Sequence, residues 1–244
     1  MKNLLKWELK QNFQSKAFWG IGITLTLINT IFLNVTSIDG GESGFELFLQ
    51  GCNDFNSLIL FFIGIYAGIH VTGAFEERRI QAAVMAGNNR FHILVAKLLS
   101  YSLSVGTFCI SALSASFIVS MMAAGSHNFV DDFSREIVLR IVAYTFVEIS
   151  FVSICFFLAM LVQNLGAAIA VNLVAMLVLN AVGQTLVTKE WAMDFMRFTP
   201  LGQTFFALAD VSNKNLVMSA VASILGLAIT LTLSYIKFRK EELK

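Results

Sequence analysis

Stretches without Asp, Glu, Lys or Arg divide the chain. Residues 17–38, 55–75, 98–130, 167–186 and 215–236 contain none of the four, and 137–162 is apolar around Glu148. A membrane-spanning helix needs roughly 20 apolar residues. The pattern therefore predicts spans at 17–38, 55–75, 98–124, 137–162, 167–186 and 215–236. Gln163-Asn164-Leu165-Gly166 reads as a tight polar turn between the fourth and fifth. In the arm 1–16, Leu5, Leu9 and Phe13 recur every four residues, with Lys6 and Lys10 beside them. This suits a helix lying in the interface with its lysines reaching the headgroups; a basic flank that only orients the first span is the other reading. Segment 187–213 is too polar to span and too rich in Trp, Phe and Met for a solvated loop. Trp191, Phe195, Phe198, Phe205 and Phe206 suggest re-entrant or interfacial helices dipping into the outer leaflet, broken at Pro200-Leu201-Gly202. An aromatic belt at the interface accounts for the same residues.

The segment 76–90 stands apart. It joins charge (Glu76, Glu77, Arg78, Arg79, Arg90), a short apolar turn from Gln81 to Ala86, and a glycine stop at Gly87. Lying between two spans, it must sit at a membrane face. A positive anchor does not need an apolar helix with a left-handed glycine stop. We read the segment as a surface gripped by a soluble partner.

Composition agrees with the span pattern. Of 244 residues 57% are hydrophobic and 14% charged, and mean hydropathy is +0.73; soluble domains carry roughly 25% charged residues. The chain reads as an all-α integral membrane protein, one domain over 1–244. Net charge is +1, which gives no reason to expect nucleic acid as a partner. The distribution of basic residues sets orientation. Four lie in the arm (Lys2, Lys6, Lys10, Lys16), four between the second and third spans (Arg78, Arg79, Arg90, Lys97) and four in the tail (Lys237, Arg239, Lys240, Lys244). Five are spread over the opposite loops (Arg135, Arg140, Lys189, Arg197, Lys214), and the loop at 37–56 has only Asp39, Glu42, Glu46 and Asp54. The positive-inside rule places both termini and 76–90 in the cytoplasm, as six spans require. Arm and first span show no cleavable signal, and Cys52, Cys109 and Cys155 form no metal or disulfide spacing.

Within the spans, Gly64 and Gly68 form GxxxG, extended by Thr72, a pattern that lets helices approach closely. Ser100, Ser104, Thr107, Ser111 and Ser114 share one face of the third span; they either line a polar path or bond back to helix carbonyls, and the latter is the commoner use. Glu148 is a carboxylate at mid-span and so a candidate for function, or for pairing with Arg140 or a neighbouring helix. His70 reads as a hydrogen-bonded packing residue. Asn172 and Asn180 either bond across helices or meet substrate. Together Glu148, Asn172, Asn180, Ser104 and Ser111 are the substrate-pathway candidates.

No P-loop, G-x-S-x-G, H-E-x-x-H or Cys/His cluster is present, so catalytic residues and metal ligands are expected to be none. Glu76-Glu77 resembles the E-E-x-x-x-R motif of intramembrane glutamate peptidases, but Gln81 stands where Arg is needed. Tyr66, Asn88 and Ala123 precede the three histidines where that family has Phe.

The chain resembles the type-2 ABC exporter permeases along its whole length. The likeness is carried by the basic arm, the six spans, Phe75, Glu76-Glu77, Ala82-Ala83-Val84-Met85, Asn89-Arg90, Lys97, a non-spanning insert before the last span, and the tail Phe238-Arg239-Lys240-Glu241-Glu242-Leu243. Gln81-Ala82 replaces the family's frequent Gly-Thr. The resemblance implies a dimer, either a homodimer or a pseudo-dimer with a related permease. It further implies two separate ABC ATPase subunits, which hold ATP and Mg, so that this chain is not itself an enzyme. Glu76, Glu77, Arg78, Arg79, Ala82, Val84, Met85, Gly87 and Arg90 would form the coupling segment. The expected cargo is amphipathic or hydrophobic, a peptide toxin or antimicrobial peptide exported from a bacterial cell across its cytoplasmic membrane. The alternatives are an ion-coupled secondary transporter using Glu148, for which no inverted repeat is visible, and the intramembrane peptidase.

Overall fold

The computed structural model describes residues 2–38, 48, 58–124, 135–196, 198–199, 202 and 213–240. Among them all regular structure is helical. The elements are α1 (Lys2–Gln14), α2 (Lys16–Ile38), α3 (Leu58–Glu76), α4 (Arg79–Met85), α5 (Arg90–Ala124), α6 (Arg135–Leu161), α7 (Leu165–Val187), α8 (Glu190–Met196) and α9 (Asn213–Lys240). Five of these, α2, α3, α5, α7 and α9, are long and apolar enough to cross a membrane. α6 contributes a further apolar stretch, Thr145–Leu161. This is the make-up of a membrane-embedded protein.

α3 lies at the centre. Of its apolar window 67% is buried, against 17% for α7 and for α9. Small residues put it there. A Cβ added to Gly68 would stand 2.6 Å from Ile169 Cγ1 and 3.2 Å from the Ile169 backbone nitrogen, and one on Gly64 would stand 3.2 Å from Asn172 Cβ. The GxxxG face thus brings α3 against α7. Near its C-terminal end α3 loosens into a π-helical turn, Gly68–Thr72. Such turns re-aim side chains within a helix. Thr72 Oγ1 donates to the carbonyls of Ala159 (2.9 Å) and Val162 (3.3 Å), tying α3 to the end of α6. The most extensive helix pairs around this centre are α6 with α9 and α2 with α5. Outward, α2 carries Trp19, Ile23, Leu27, Ile31 and Val35, one every four residues, all exposed; α7 and α9 carry similar apolar stripes. These are surfaces fit for lipid.

One boundary shifts. α5 starts at Arg90, well before position 98, because Asn89 Oδ1 accepts the Phe91 N–H at 2.9 Å and caps the helix. The arm is a helix, and the side it turns to α5 carries Glu8 and Asn12. Phe13 is 46% exposed, whereas Glu8 and Asn12 are buried against α5. Polar contacts tie the arm to α5, and Leu4 packs on the core.

In the 187–213 segment, α8 packs on α7. Ala192 and Met196 face inward, and Trp191, Phe195 and Phe198 face outward. Phe205, Phe206, the break at Pro200-Leu201, the acidic loop with Cys52, His127 and the tail 241–244 lie outside the described residues, as do the side chains of Arg135 and Arg140.

Candidate functional site

The helix α4 caps the turn between α3 and α5. It begins after Arg78, which takes a left-handed conformation (φ 54°), and it ends on Gly87 (φ +83°). The Gly87 N–H donates to the Val84 carbonyl at 3.0 Å and the Asn88 N–H to the Ala83 carbonyl at 3.3 Å. That pair of bonds is a Schellman stop, which needs a residue tolerant of positive φ at the glycine. Asn88 Nδ2 adds a second donor to the Ala83 carbonyl, 3.0 Å away. Replacing Gly87 by alanine should cost about 1 kcal/mol of stability, and by asparagine less, because a Cβ strains the left-handed conformation and Asn tolerates it best. Thermal denaturation of the three proteins in one detergent checks the order.

The faces of α4 divide cleanly. Ile80 is buried in the core, and Ala83 and Val84 pack partly against it. Ala82 is exposed and Met85 is 81% exposed. A short helix with an unshielded methionine at its tip is a contact surface of the adaptable kind. Glu77 and Arg79 form an ion pair at 2.7 Å; at such exposure it contributes little. Arg78 is exposed beside it.

The other charged residues of the segment turn toward the spans. Glu76 Oε1 accepts the Leu165 N–H at 2.7 Å, placing a carboxylate on the positive end of α7. Asn164 completes that cap through the Ala167 N–H. Arg90 Nη1 donates to the carbonyls of Phe238 (2.9 Å) and Arg239 (3.1 Å), and its guanidinium lies 5.7 Å from the Phe238 ring centroid. Phe75 meets the same ring edge-on. On either side of α4, Glu76 ties the end of α3 to α7 and Arg90 ties the start of α5 to α9, while α4 itself meets the core through Ile80.

Beside this end of the bundle lies a polar cluster that the sequence pattern did not expose. Lys97 Nζ pairs with Glu8 Oε2 at 2.9 Å, with side chains only 2% and 4% exposed. Asn12 Nδ2 donates to Ser100 Oγ and Ser104 Oγ, both at 3.0 Å. Ser100 Oγ shares a 2.9 Å hydrogen bond with His70 Nε2, and Tyr66 Oη donates to Ser104 Oγ at 3.3 Å. Tyr66, His70 and Tyr101 stack, with centroids 5.6–6.1 Å apart. The cluster locks α1 to α5 and α3. The sequence held a signal: Glu8 and Asn12 are one turn apart, and Lys97, Ser100 and Ser104 share a face.

The substrate-pathway candidates are not brought together. Ser104 belongs to the cluster just described. Ser111 Oγ lies 3.1 Å from Thr26 Oγ1, between α5 and α2. Asn172 is buried beneath Gly64 and donates to the Ala168 carbonyl. Asn180 Oδ1 accepts from Gln184 Nε2 on its own helix. Most of the α5 hydroxyls also bond back: Ser104 to the Ser100 carbonyl, Thr107 to Leu103, Ser111 to Phe108 and Ser114 to Ser111. Glu148 lines a cleft between α5 and α6, and Ser111 lines a separate one between α5 and α2.

The chain matches no protein-family model and no curated protein.

Proposed function

We propose that this protein is the membrane subunit of an ATP-driven exporter whose ATPase is a separate chain. The observation that carries the reading is α4: a short, rigidly stopped helix with Met85 bare at its tip. Its resemblance to the coupling segment of type-2 ABC permeases supplies the partner. The ties around α4 suit a lever. A push on Ala82 and Met85 would pass through Ile80 to α3, through Glu76 to α7, through Arg90 to α9 and, by the Glu8–Lys97 pair on α5, to the arm. In this reading there are six spans, α6 being the fourth, with both termini and α4 on the cytoplasmic side, as the basic residues indicate. Glu77, Arg78 and Arg79 would meet charges around the ATPase groove, and Val84 and Gly87 would hold the presenting face in shape. The assembly would be a dimer, and an amphipathic peptide remains the proposed cargo.

The test is capture. The tagged chain, purified from its native membranes, should hydrolyse no ATP alone and should bring down a separate P-loop ATPase. Met85→Glu buries a charge in any apolar groove and should cut recovery of that ATPase by about tenfold or more, as for a hot-spot anchor. A stable isolated chain that moves substrate without any ATPase overturns the reading.

A further inference from the structure

The outward face of the arm is basic. Lys6, Lys10 and Phe13 follow one another at helical spacing on α1, and all three are exposed, as are Trp7 beside them and Lys16 at the start of α2. Glu8, the one carboxylate of residues 1–16, is turned the other way and held by Lys97. Among the described residues no carboxylate pairs with Lys6, Lys10 or Lys16. A groove of about 250 Å³ between α2 and α5 begins one turn beyond Lys16. Phe18, Trp19, Ile23 and Leu27 line it from α2, and Thr107 and Phe108 from α5. Trp19 stands at the end nearer the arm, where its indole N–H donates to the Phe13 carbonyl at 2.9 Å. Trp19, Ile23 and Leu27 belong to the exposed α2 stripe fit for lipid, so the groove lies on the side of the helix that faces the bilayer.

We propose that the arm and this groove form a binding site for one anionic phospholipid of the surrounding membrane. Its headgroup lies against Lys10 and Lys16, with Lys6 further along the same face, and an acyl chain lies along Ile23, Leu27 and Phe108. Two features fix the occupant. The groove is apolar and continuous with a lipid-facing stripe, so a water-soluble anion gains nothing from it. The end nearer the arm carries cations that the described chain does not balance, and a zwitterionic lipid brings its own ammonium to them, whereas an anionic one brings net charge of the opposite sign. From Trp19 to Leu27 the groove runs about 12 Å, the length of part of an acyl chain. Trp19 itself has the apolar ring and polar N–H that suit the boundary between head and chain. The Glu8–Lys97 pair and the Asn12 bonds pin the arm to α5, which holds the lysines in place over the groove. The site stands apart from the exporter reading.

The chain has three tryptophans, so Trp7→Phe with Trp191→Phe leaves Trp19 as the sole reporter. The full chain in this background is reconstituted in phosphatidylcholine, and quenching of Trp19 is measured with phosphatidylglycerol and with phosphatidylcholine carrying the same brominated chains. The anionic lipid should be preferred about 25-fold, at about fivefold for each of two lysines. Lys10→Gln and Lys16→Gln should each reduce the preference about fivefold, and arginine at either position should keep it. Thr107→Phe tests the groove. Thr107 is exposed and its hydroxyl bonds back to the Leu103 carbonyl, so phenylalanine fills the groove without opening a helix contact. The preference should be lost while the thermal midpoint in phosphatidylcholine holds. Trp191 as sole tryptophan, with Glu190 and Asp194 near it in sequence, should show no preference. The proposal is overturned if both lipids quench Trp19 equally, if the double variant Lys10→Gln with Lys16→Gln keeps the preference, if Thr107→Phe keeps it, or if Trp191 shows the same preference as Trp19. A chain that keeps the preference but captures no ATPase upholds this site and sinks the exporter reading alone.

Discussion

Glu8→Ala should destabilise the protein by about 3–5 kcal/mol, the cost of leaving one member of a buried ion pair without its partner. Lys97 sits on α5 with its ammonium 2.9 Å from Glu8 Oε2, and the surroundings admit almost no water. Removing the carboxylate strands that charge among Ile93, Leu94 and Tyr101, buried neighbours on the same helix. Lys97→Met alone should also destabilise, because it leaves the buried Glu8 carboxylate without its partner. The double variant Glu8→Leu with Lys97→Met should recover most of the loss, since a well-packed apolar pair often equals a buried ion pair. Thermal unfolding of the wild type, Glu8→Leu, Lys97→Met and the double variant in one detergent completes a double-mutant cycle. Simple additivity of the two single changes would mean that the pair is not what holds the arm. Limited proteolysis gives a second readout: Glu8→Ala should expose the Gln14–Lys16 junction to cleavage, as the arm leaves α5.

The second large effect is expected at Gly68. Leucine there places its Cβ 2.6 Å from Ile169 Cγ1 and 3.2 Å from backbone. Backbone cannot yield as a side-chain tip can, so α3 and α7 must separate. Overpacking of this kind costs about 1–3 kcal/mol. It should also loosen the Glu76 bond to the Leu165 N–H, which depends on the same α3–α7 spacing. Gly64→Ala should be milder, its nearest neighbour being Asn172 Cβ at 3.2 Å, and Gly20→Ala should be neutral, since a Cβ there meets nothing within 4 Å. The order Gly68, Gly64, Gly20 in thermal midpoint tests whether close approach is the reason for the glycines. Equal effects at all three would leave helix propensity as the only cause.

The sequence by itself determined the helices and the place of the short one. Uncharged runs of membrane length admit hardly any structure but helix, because lipid offers backbone groups no partner. The Gly87 stop was legible for a similar reason: a positive φ after an apolar turn is a local demand with a local residue to meet it. Back-bonding of the α5 hydroxyls was the commoner of two readings of that stripe, since a serine in a helix reaches its own preceding turn. What tertiary structure alone decided is which distant groups meet. Glu8 looked like one charge in a basic arm, and Lys97 like one more cation near a membrane face, yet they form the most buried ion pair of the described residues. Glu76 and Arg90 looked outward-facing in sequence, but the fold gives them the ends of α7 and α9 to cap. Helix formation is set within a few residues, whereas pairing between charges 89 positions apart depends on how the helices stack, and no local pattern encodes that.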